Sequence, residues 1–141
     1  MPGSCATVSL LMFRRYTESG YAKAVWPLLM AACIPCAASA QDLGEKAFSK
    51  CDNCHTLKAN ERDKSGPSLH GLFGAKAASL SRTYRYSPAL KASGIVWSDA
   101  TLDQWLAKPS DMVRGNRMSF GGIGDAEVRK ALIAYLKRET R

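Results

Sequence analysis

Three side chains that can bind a cofactor or a metal lie close together in the sequence. The stretch KCDNCHTLK, residues 50–58, places Cys51 and Cys54 three positions apart, with His55 directly after the second cysteine. Three chemistries use such a group: half of a zinc site, a dithiol redox pair, or the covalent attachment of a haem.

The surrounding sequence argues against the first two chemistries. A structural zinc needs four ligands, and adjacent Cys54 and His55 would have difficulty reaching one metal ion together. A dithiol oxidoreductase would place its Cys-x-x-Cys near a βαβ unit, but the chain has no alternating strand pattern. The C-x-x-C-H pattern is typical of haem attachment, in which Cys51 and Cys54 form thioethers and His55 ligates the iron. One covalent haem c is therefore the expected cofactor.

A second axial ligand can come from three residues, His70, Met112 and Met118. A methionine thioether is a soft ligand that favours ferrous iron. Met118 lies in RGNRMSFGGIG, residues 114–124, a glycine-rich segment that could lay its backbone across a flat ligand. We predict Met118 as the ligand, with Met112 second, and a structural role for His70.

The N-terminal segment has the pattern of an export signal. Basic residues precede the apolar run AVWPLLMAACIPCAA, residues 24–38, and ASA follows at residues 38–40. This pattern predicts a signal peptide over residues 1–40, with cleavage after Ala40 and export to the periplasm. The alternatives are a membrane anchor that stays uncleaved and a lipoprotein signal acylated at Cys33.

Cleavage would leave residues 41–141 as a single domain that keeps only Cys51 and Cys54 of the five cysteines. Helical patterns in this part of the chain are separated by long segments rich in turn-forming residues. Helices are predicted over residues 42–51, 87–93, 98–109 and 125–139. Asp42, Ser87 and Ser98 are predicted to cap the first three, and Pro109 lies just past the end of the third. The predicted fold class is all-α, with short helices and long loops that wrap a ligand.

The mature chain resembles the class I c-type cytochromes, in the mitochondrial-type branch and its periplasmic bacterial relatives. The resemblance covers residues 42–139 and is carried by CDNCHTLK, SGPSLHGLFG, GIVW, TLDQWLAKP, MSFGGI and LIAYLK, in that order. It implies the cytochrome c fold around one covalent haem c.

The resemblance also implies roles for single residues. Cys51 and Cys54 match the thioether attachments, His55 the proximal ligand and Met118 the distal ligand. Other residues match positions in the haem environment: Pro67, Tyr86, Trp97, Trp105, Asn116 and Phe120. The carbonyl of Pro67 is expected to orient the proximal imidazole.

Two further matches concern helix packing and the ligand loop. Gly44, Phe48 and Tyr135 match the place where the N- and C-terminal helices cross. Before the ligand methionine the family usually has Pro-Gly-Thr-Lys, whereas this chain has RGNR, with Arg114 for proline and Asn116 for threonine. This departure predicts a less rigid loop around Met118.

The expected function is that of a one-electron carrier between periplasmic or membrane-bound redox complexes. An iron with two protein ligands has no free site for a substrate, so the chain is not expected to be an enzyme. Two alternatives stay open: a small peroxidase or gas-binding haem protein with a labile Met118, and a dedicated electron-transfer subunit of a dehydrogenase complex.

The charge of the chain indicates acidic partners. The formal net charge is +8 for the whole chain and +6 for residues 41–141. We expect a monomer that meets an acidic reductase, oxidase, dehydrogenase or photosynthetic complex, with transient membrane-surface contact compatible with the charge. No nucleic-acid recognition pattern is present in the sequence. A basic ring around the haem edge is expected from Lys50, Lys64, Lys76, Lys108 and Arg117.

Overall fold

Five helices form the regular structure of the chain from Cys36 to Arg141, the residues that the computed structural model describes. They are α1 (Cys36–Phe48), α2 (Pro88–Ala92), α3 (Asp99–Ala107), α4 (Pro109–Met112) and α5 (Ala126–Glu139). Within these residues the strand pairing is limited to an isolated antiparallel bridge between Lys76 and Val96. The predicted all-α class is confirmed.

Helix α1 begins upstream of the predicted start. Asp42 was expected to cap this helix, but α1 starts at Cys36, so Asp42 lies inside it. The Ala-rich sequence before Asp42 has high helix propensity and extends the helix in the full chain. The predicted cleavage site after Ala40 therefore falls within α1, whereas Cys33 and most of the predicted signal lie outside the described residues. None of the helices within residues 36–141 is long and apolar enough to cross a bilayer.

Three helices begin at side-chain caps, and the sequence predicts two of these caps, Ser87 and Ser98. The Ser87 hydroxyl accepts the N–H of Leu90, and Pro88 occupies the first turn of α2. Ser98 forms a reciprocal capping box with Thr101 at the start of α3. The Asp125 carboxylate accepts two backbone N–H groups at the start of α5. Such caps satisfy amide donors that a helix leaves unpaired.

The predicted helix over residues 98–109 ends at Ala107 in the structure, and a second short helix follows Lys108. Lys108 is extended, with φ −165° and ψ 92°, and Pro109 begins α4. Proline disfavours helical geometry in the residue before it, yet it suits the first position of a helix. Met112, which was expected to lie beyond a helix, is the last residue of α4.

Helices α1 and α5 cross at Gly44. A Cβ atom at Gly44 would lie 2.4 Å from the carbonyl oxygen of Ala131 and 2.8 Å from the Cβ of Tyr135. The rings of Phe48 and Tyr135 pack beside this contact, with centroids 5.6 Å apart. The crossing brings the residues that follow α1 against the core.

The apolar core is built mainly from α3, α5 and the loops between them. Leu132 of α5 is fully buried, and Leu102, Leu106 and Leu136 are 3–4% exposed. Trp97 and Trp105 pack edge to face, with ring centroids 5.4 Å apart. The core forms one side of a cavity. The helices hold in place the loops that form its other walls.

Candidate functional site

A cavity of about 360 Å³ lies between the turn after α1, the long loops and the core. Its volume is within the range of ligand and cofactor pockets, about 300–1,000 Å³. All ten residues predicted to form the site line it, namely Cys51, Cys54, His55, Pro67, Tyr86, Trp97, Trp105, Asn116, Met118 and Phe120.

The first wall of the cavity is a tight turn that follows α1. The N–H of Cys54 donates to the carbonyl of Cys51 at 3.0 Å, and the N–H of His55 donates to the same carbonyl at 2.9 Å. The second bond has the i to i+4 spacing of an α-helix. One short turn therefore presents both sulfurs and the imidazole to the same cavity.

The two thiols of this turn differ in their surroundings. Both are free, and Cys51 is buried whereas Cys54 is exposed. Burial raises the pKa of the Cys51 thiol to about 11, and the charge of Asp52 adds to the effect. Cys51 is therefore a neutral thiol in the folded chain, with low reactivity.

His55 is held in one orientation. Its Nδ1–H donates a hydrogen bond to the carbonyl oxygen of Pro67, with an N–O distance of 2.8 Å. A Cβ atom at Gly66 would lie 2.5 Å from Cε1 of His55, so the glycine backbone packs directly on the ring. The Nδ1 bond leaves Nε2 with the free lone pair, which is the form that ligates a metal.

The protonation of His55 is suited to ligation. Burial lowers the pKa of the imidazole, the bond to the Pro67 carbonyl opposes this, and the charge of Lys64 lowers the pKa further. The net effect favours the neutral ring, which is the form able to bind a metal.

Of the three candidates for the second ligand, only Met118 lines the cavity. Its side chain is half-buried, and its loop packs against the core. Met112 packs against the core from α4, and His70 is exposed.

The chain after Met118 is fixed at two points. The N–H of Ile123 donates to the carbonyl of Leu106 at 2.8 Å. A Cβ atom at Gly122 would lie 2.0 Å from the carbonyl oxygen of Ala107, and its φ of +96° also favours glycine. The end of the loop therefore lies flat against α3.

Arg129 joins three parts of the structure at this end of the loop. Its guanidinium forms a paired contact with Asp103 of α3, with the closest N–O distance 2.7 Å. The same side chain donates to the carbonyls of Ile123 and Gly124, each at 2.9 Å. This arrangement uses the fork geometry that arginine offers.

A carboxylate not predicted as a site residue connects two of the cavity loops. Asp63 accepts the N–H of Ser68 at 3.0 Å and the hydroxyl of Thr83 at 2.9 Å, and it also accepts the hydroxyl of Ser81. The N–H of Ser81 donates in turn to the Tyr86 hydroxyl at 3.1 Å. Asp63 thus links the segment that carries Pro67 to the one that carries Tyr86.

Three residues of the site, Gly66, Asp63 and Arg129, were not among those predicted from the sequence. For Gly66 a local signal existed, because a glycine directly before a predicted ligand-orienting proline indicates close backbone approach. For Asp63 and Arg129 the sequence offered no such signal, since their partners lie 18–20 and 26 residues away.

The residues present fit a covalently bound haem. The lining is dominated by apolar and aromatic side chains, both thiols are free, and Nε2 of His55 is left unbonded by the contact to Pro67. A thioether from Met118 completes a donor set of the His/Met type. Within residues 36–141 no group of three or more His, Cys, Asp and Glu side chains could hold a metal ion by itself.

Comparison with known proteins identifies close relatives. No protein-family model matches the chain. The chain is 45% identical over 93 residues to cytochrome c from Arabidopsis thaliana, which covers 66% of this chain and 82% of that protein. It is 44% identical over 93 residues to cytochrome c from Cochliobolus lunatus, covering 66% and 85%.

A solved structure shares the architecture. Cytochrome cH from Methylobacterium extorquens superposes with a TM-score of 0.65 and 45% sequence identity, covering 70% of this chain and 97% of that one.

Proposed function

The chain belongs to the class I c-type cytochromes, electron carriers with one covalently attached haem c, and we propose that Cys51, Cys54, His55 and Met118 hold this haem. The observation that carries the assignment is the convergence of these four side chains on one cavity. When bound, the haem iron supplies the one-electron change between its ferric and ferrous states.

The two cysteines anchor the cofactor. Each residue would hold the haem through a thioether, formed by addition of the thiol S–H to one haem vinyl group. Since Cys51 and Cys54 belong to one hydrogen-bonded turn, both bonds fix the cofactor to the same rigid element.

The two residues that would ligate the iron, His55 and Met118, differ in chemical character. His55 is a strong donor because Pro67 accepts its Nδ1 proton and so increases its basicity. Met118 supplies a soft sulfur that favours the reduced state. The apolar lining, which includes Trp97 and Trp105, keeps water away and also favours the state of lower charge.

This ligation leaves the iron without a position for a substrate, so we infer that the chain catalyses no reaction of its own. A peroxidase or gas-binding function would require Met118 to leave the iron readily. An electron carrier and a peroxidase or gas-binding protein would therefore differ in the strength of the bond between Met118 and the iron.

The ligand assignment is tested with the mature holoprotein. Intact mass should show one haem bound per chain, and the oxidised protein should show the red-region absorbance band of a methionine–iron bond. Met118→Ala should lose that band, while the matched control Met112→Ala should keep it. Rapid carbon monoxide binding to the reduced wild-type protein at neutral pH would contradict the proposal.

We further propose that the partners are acidic redox proteins. Residues 64–98 contain five Lys and Arg and no Asp or Glu, and residues 112–124 contain two Arg and no acidic residue. The two segments are joined by a hydrogen bond from the Arg117 guanidinium to the carbonyl of Arg85 at 3.2 Å. Both border the cavity, and the carboxylate that contacts them, Asp63, is half-buried, so a mainly basic surface adjoins the proposed haem site.

The structure refines the predicted basic ring. Lys50 and Arg117 line the cavity, and Lys64 and Lys76 belong to the acid-free segments. Lys108 forms an ion pair with Asp111 at 3.0 Å, which reduces its contribution to the field. We assign the docking surface to the cations of residues 64–98 and 112–124 together with Lys50.

We propose the periplasm as the site of action, after cleavage of the signal over residues 1–40. The mass of the protein purified from a periplasmic extract tests this. A chain that begins at residue 41 is expected, whereas a membrane-bound chain carrying a lipid on Cys33, or one that retains residues 24–38, would contradict cleavage after Ala40.

A further inference from the structure

Asn116 lies two residues before Met118 and binds the backbone on both sides of its own turn. Its Oδ1 accepts the N–H of Met118 at 2.9 Å. Its Nδ2 donates to the carbonyl of Val113 at 2.9 Å. One amide group therefore bridges residues 113 and 118.

The bridge connects the ligand residue to a fixed point of the core. Val113 is 7% exposed and belongs to the apolar core. Its carbonyl also accepts the backbone N–H of Asn116 at 3.2 Å. Met118 is thus linked through one side chain to a residue that cannot move without disturbing the packing.

The turn needs this link because its sequence is permissive. Arg114, at the start of the turn, does not have the fixed φ angle that a proline would have there. Gly115 has φ +81°, a conformation that few other residues adopt readily. The other side-chain contact of the turn, from Arg117 to the Arg85 carbonyl, is exposed to solvent. Asn116 makes the half-buried contacts of this turn.

These hydrogen bonds also define what Asn116 does in the cavity. The side chain lines the cavity, yet its oxygen and one of its two N–H groups are directed to the loop backbone. Its main contacts are with the polypeptide that carries the ligand.

We propose that Asn116 is the positioning residue that holds the Met118 sulfur on the iron and thereby controls the access of external ligands. The inference rests on the proposed function, because it requires Met118 to be the axial ligand. Without the amide bridge the turn gains freedom, and the detached state of Met118 becomes more populated.

The size of the effect follows from the two bonds. Two neutral hydrogen bonds of ordinary strength correspond to a change of about tenfold to a hundredfold in the equilibrium between bound and detached Met118. Imidazole binding to the ferric holoprotein reports this equilibrium, since imidazole takes the position that Met118 leaves.

The experiment compares imidazole affinity and the methionine–iron band among holoprotein variants. Asn116→Ala should bind imidazole about ten to a hundred times more tightly than the wild-type protein. Asn116→Asp keeps an acceptor for the Met118 N–H but loses the donor to Val113, so its affinity should lie between the two. Ser110→Ala removes an exposed hydroxyl of α4 outside the cavity and should match the wild-type protein.

A double variant separates positioning from general loosening. In a Met118→Ala background the Asn116→Ala change should no longer alter imidazole affinity, because the sulfur that it positions is absent. If the change raises affinity equally in both backgrounds, Asn116 acts on the pocket as a whole and the inference is overturned.

The outcomes distinguish this inference from the proposed function. A wild-type protein without the methionine–iron band overturns the Met118 assignment and the inference with it. A wild-type protein that has the band, together with an unchanged imidazole affinity in Asn116→Ala, overturns the inference alone. If Asn116→Ala does not fold, Asn116→Asp gives the same comparison.

Discussion

The ring of His55 is fixed by two neighbouring residues that act in different ways. The carbonyl of Pro67 accepts a hydrogen bond from Nδ1–H. Gly66 has no side chain, so its backbone can pack directly against the ring. The first sets the direction of the ring and the second permits its approach. Both lie in the loop that follows the turn of Cys51, Cys54 and His55.

At the residue scale we predict that Gly66→Ala displaces the His55 ring. The added Cβ would lie 2.5 Å from Cε1 and 2.8 Å from Nδ1, so the bond to Pro67 must lengthen or break. Haem content should fall, and the reduction potential of the loaded fraction should shift. The measurements are the haem absorbance per chain and a redox titration.

The control for this substitution is Gly121→Ala. Gly121 is exposed and has nothing within 4 Å of an added Cβ, so the same chemical change meets open space. If both variants kept the wild-type haem content and reduction potential, the contact between Gly66 and the His55 ring would not affect haem binding or the potential.

Asp63 links two loops, and its effect belongs to the scale of elements. Burial raises the pKa of its carboxyl, but hydrogen bonds from Ser81, Ser68 and Thr83 outweigh this and leave the pKa below its ordinary value of 3.8. A carboxyl whose pKa is lowered on folding stabilises the fold above its unfolded pKa. This stabilisation disappears as the pH falls through the folded pKa.

We predict that Asp63→Asn lowers the free energy of unfolding at pH 7 by about 1 kcal/mol, a low value because solvent screens a half-exposed carboxylate. The difference from the wild-type protein should shrink as the pH falls below about 4. Urea unfolding of both proteins at several pH values measures this difference in the free energy of unfolding. Asp111→Asn, which removes an exposed ion pair with Lys108, should change stability less. A constant difference from pH 7 to pH 3 would contradict a role for the charge of Asp63.

The crossing of α1 and α5 gives a second prediction at this scale. Gly44→Ala should destabilise the fold, because the new Cβ meets the Ala131 carbonyl at 2.4 Å. Overpacking of this kind costs about 1–3 kcal/mol, and it exceeds the ~1 kcal/mol that alanine gains over glycine in helix propensity. The midpoint of denaturant unfolding should fall. Glu45→Ala, an exposed change on the same helix, should leave the midpoint nearly unchanged, and equal midpoints for the two variants would contradict a tight crossing.

Local signals made the helices and their caps predictable from the sequence. Ser87, Ser98 and Asp125 act on amides within three residues of themselves, so the sequence contains both partners. The end of α3 before Pro109 was predicted from that proline, but α4 was missed because four residues are too few to show a helical period. The start of α1 was missed because the expected cap at Asp42 competes with upstream residues of high helix propensity.

The contacts of the cavity loops depend on tertiary structure and could not be derived in this way. Asn116 was expected to leave its loop less rigid than threonine would, and only the folded turn shows its amide bonded to both Val113 and Met118. Asp63 likewise finds its partners Ser81 and Thr83 only when two loops meet. The grouping of the site residues was implied by family resemblance and did not follow from periodicity.

At the scale of the whole molecule, the acidic residues are confined to three parts of the sequence. The acidic residues from residue 41 onward lie within residues 42–63, 99–111 and 125–139. Several of them pair with cations of α5, such as Asp99 with Lys137 and Asp103 with Arg129. The loops that border the cavity, residues 64–98 and 112–124, carry seven cations and no acidic residue.

We predict that Arg85→Glu slows the oxidation of the ferrous holoprotein by ferricyanide, a small anionic oxidant. The change reverses one charge next to the cavity, and the rate should fall roughly two- to tenfold at low salt and converge on the wild-type rate at high salt. A cationic oxidant should show the opposite trend. Stopped-flow kinetics over a range of ionic strength measures both.

Arg138→Glu is the matched control for charge. Arg138 lies at the end of α5 beside Glu139, outside the cavity lining, and its substitution changes the net charge by the same amount. If both variants slowed ferricyanide equally, net charge rather than the docking surface would steer the encounter.

The unequal burial of the two cysteines constrains the order in which the molecule is assembled. Cys54 is open to solvent, but Cys51 is 8% exposed and packs with the core once the chain is folded. Under the proposed attachment, Cys51 would be joined to the haem before this packing closes, because in the folded chain its thiol is covered on all sides except toward the cavity. The proposed order is attachment first and final packing around the haem second.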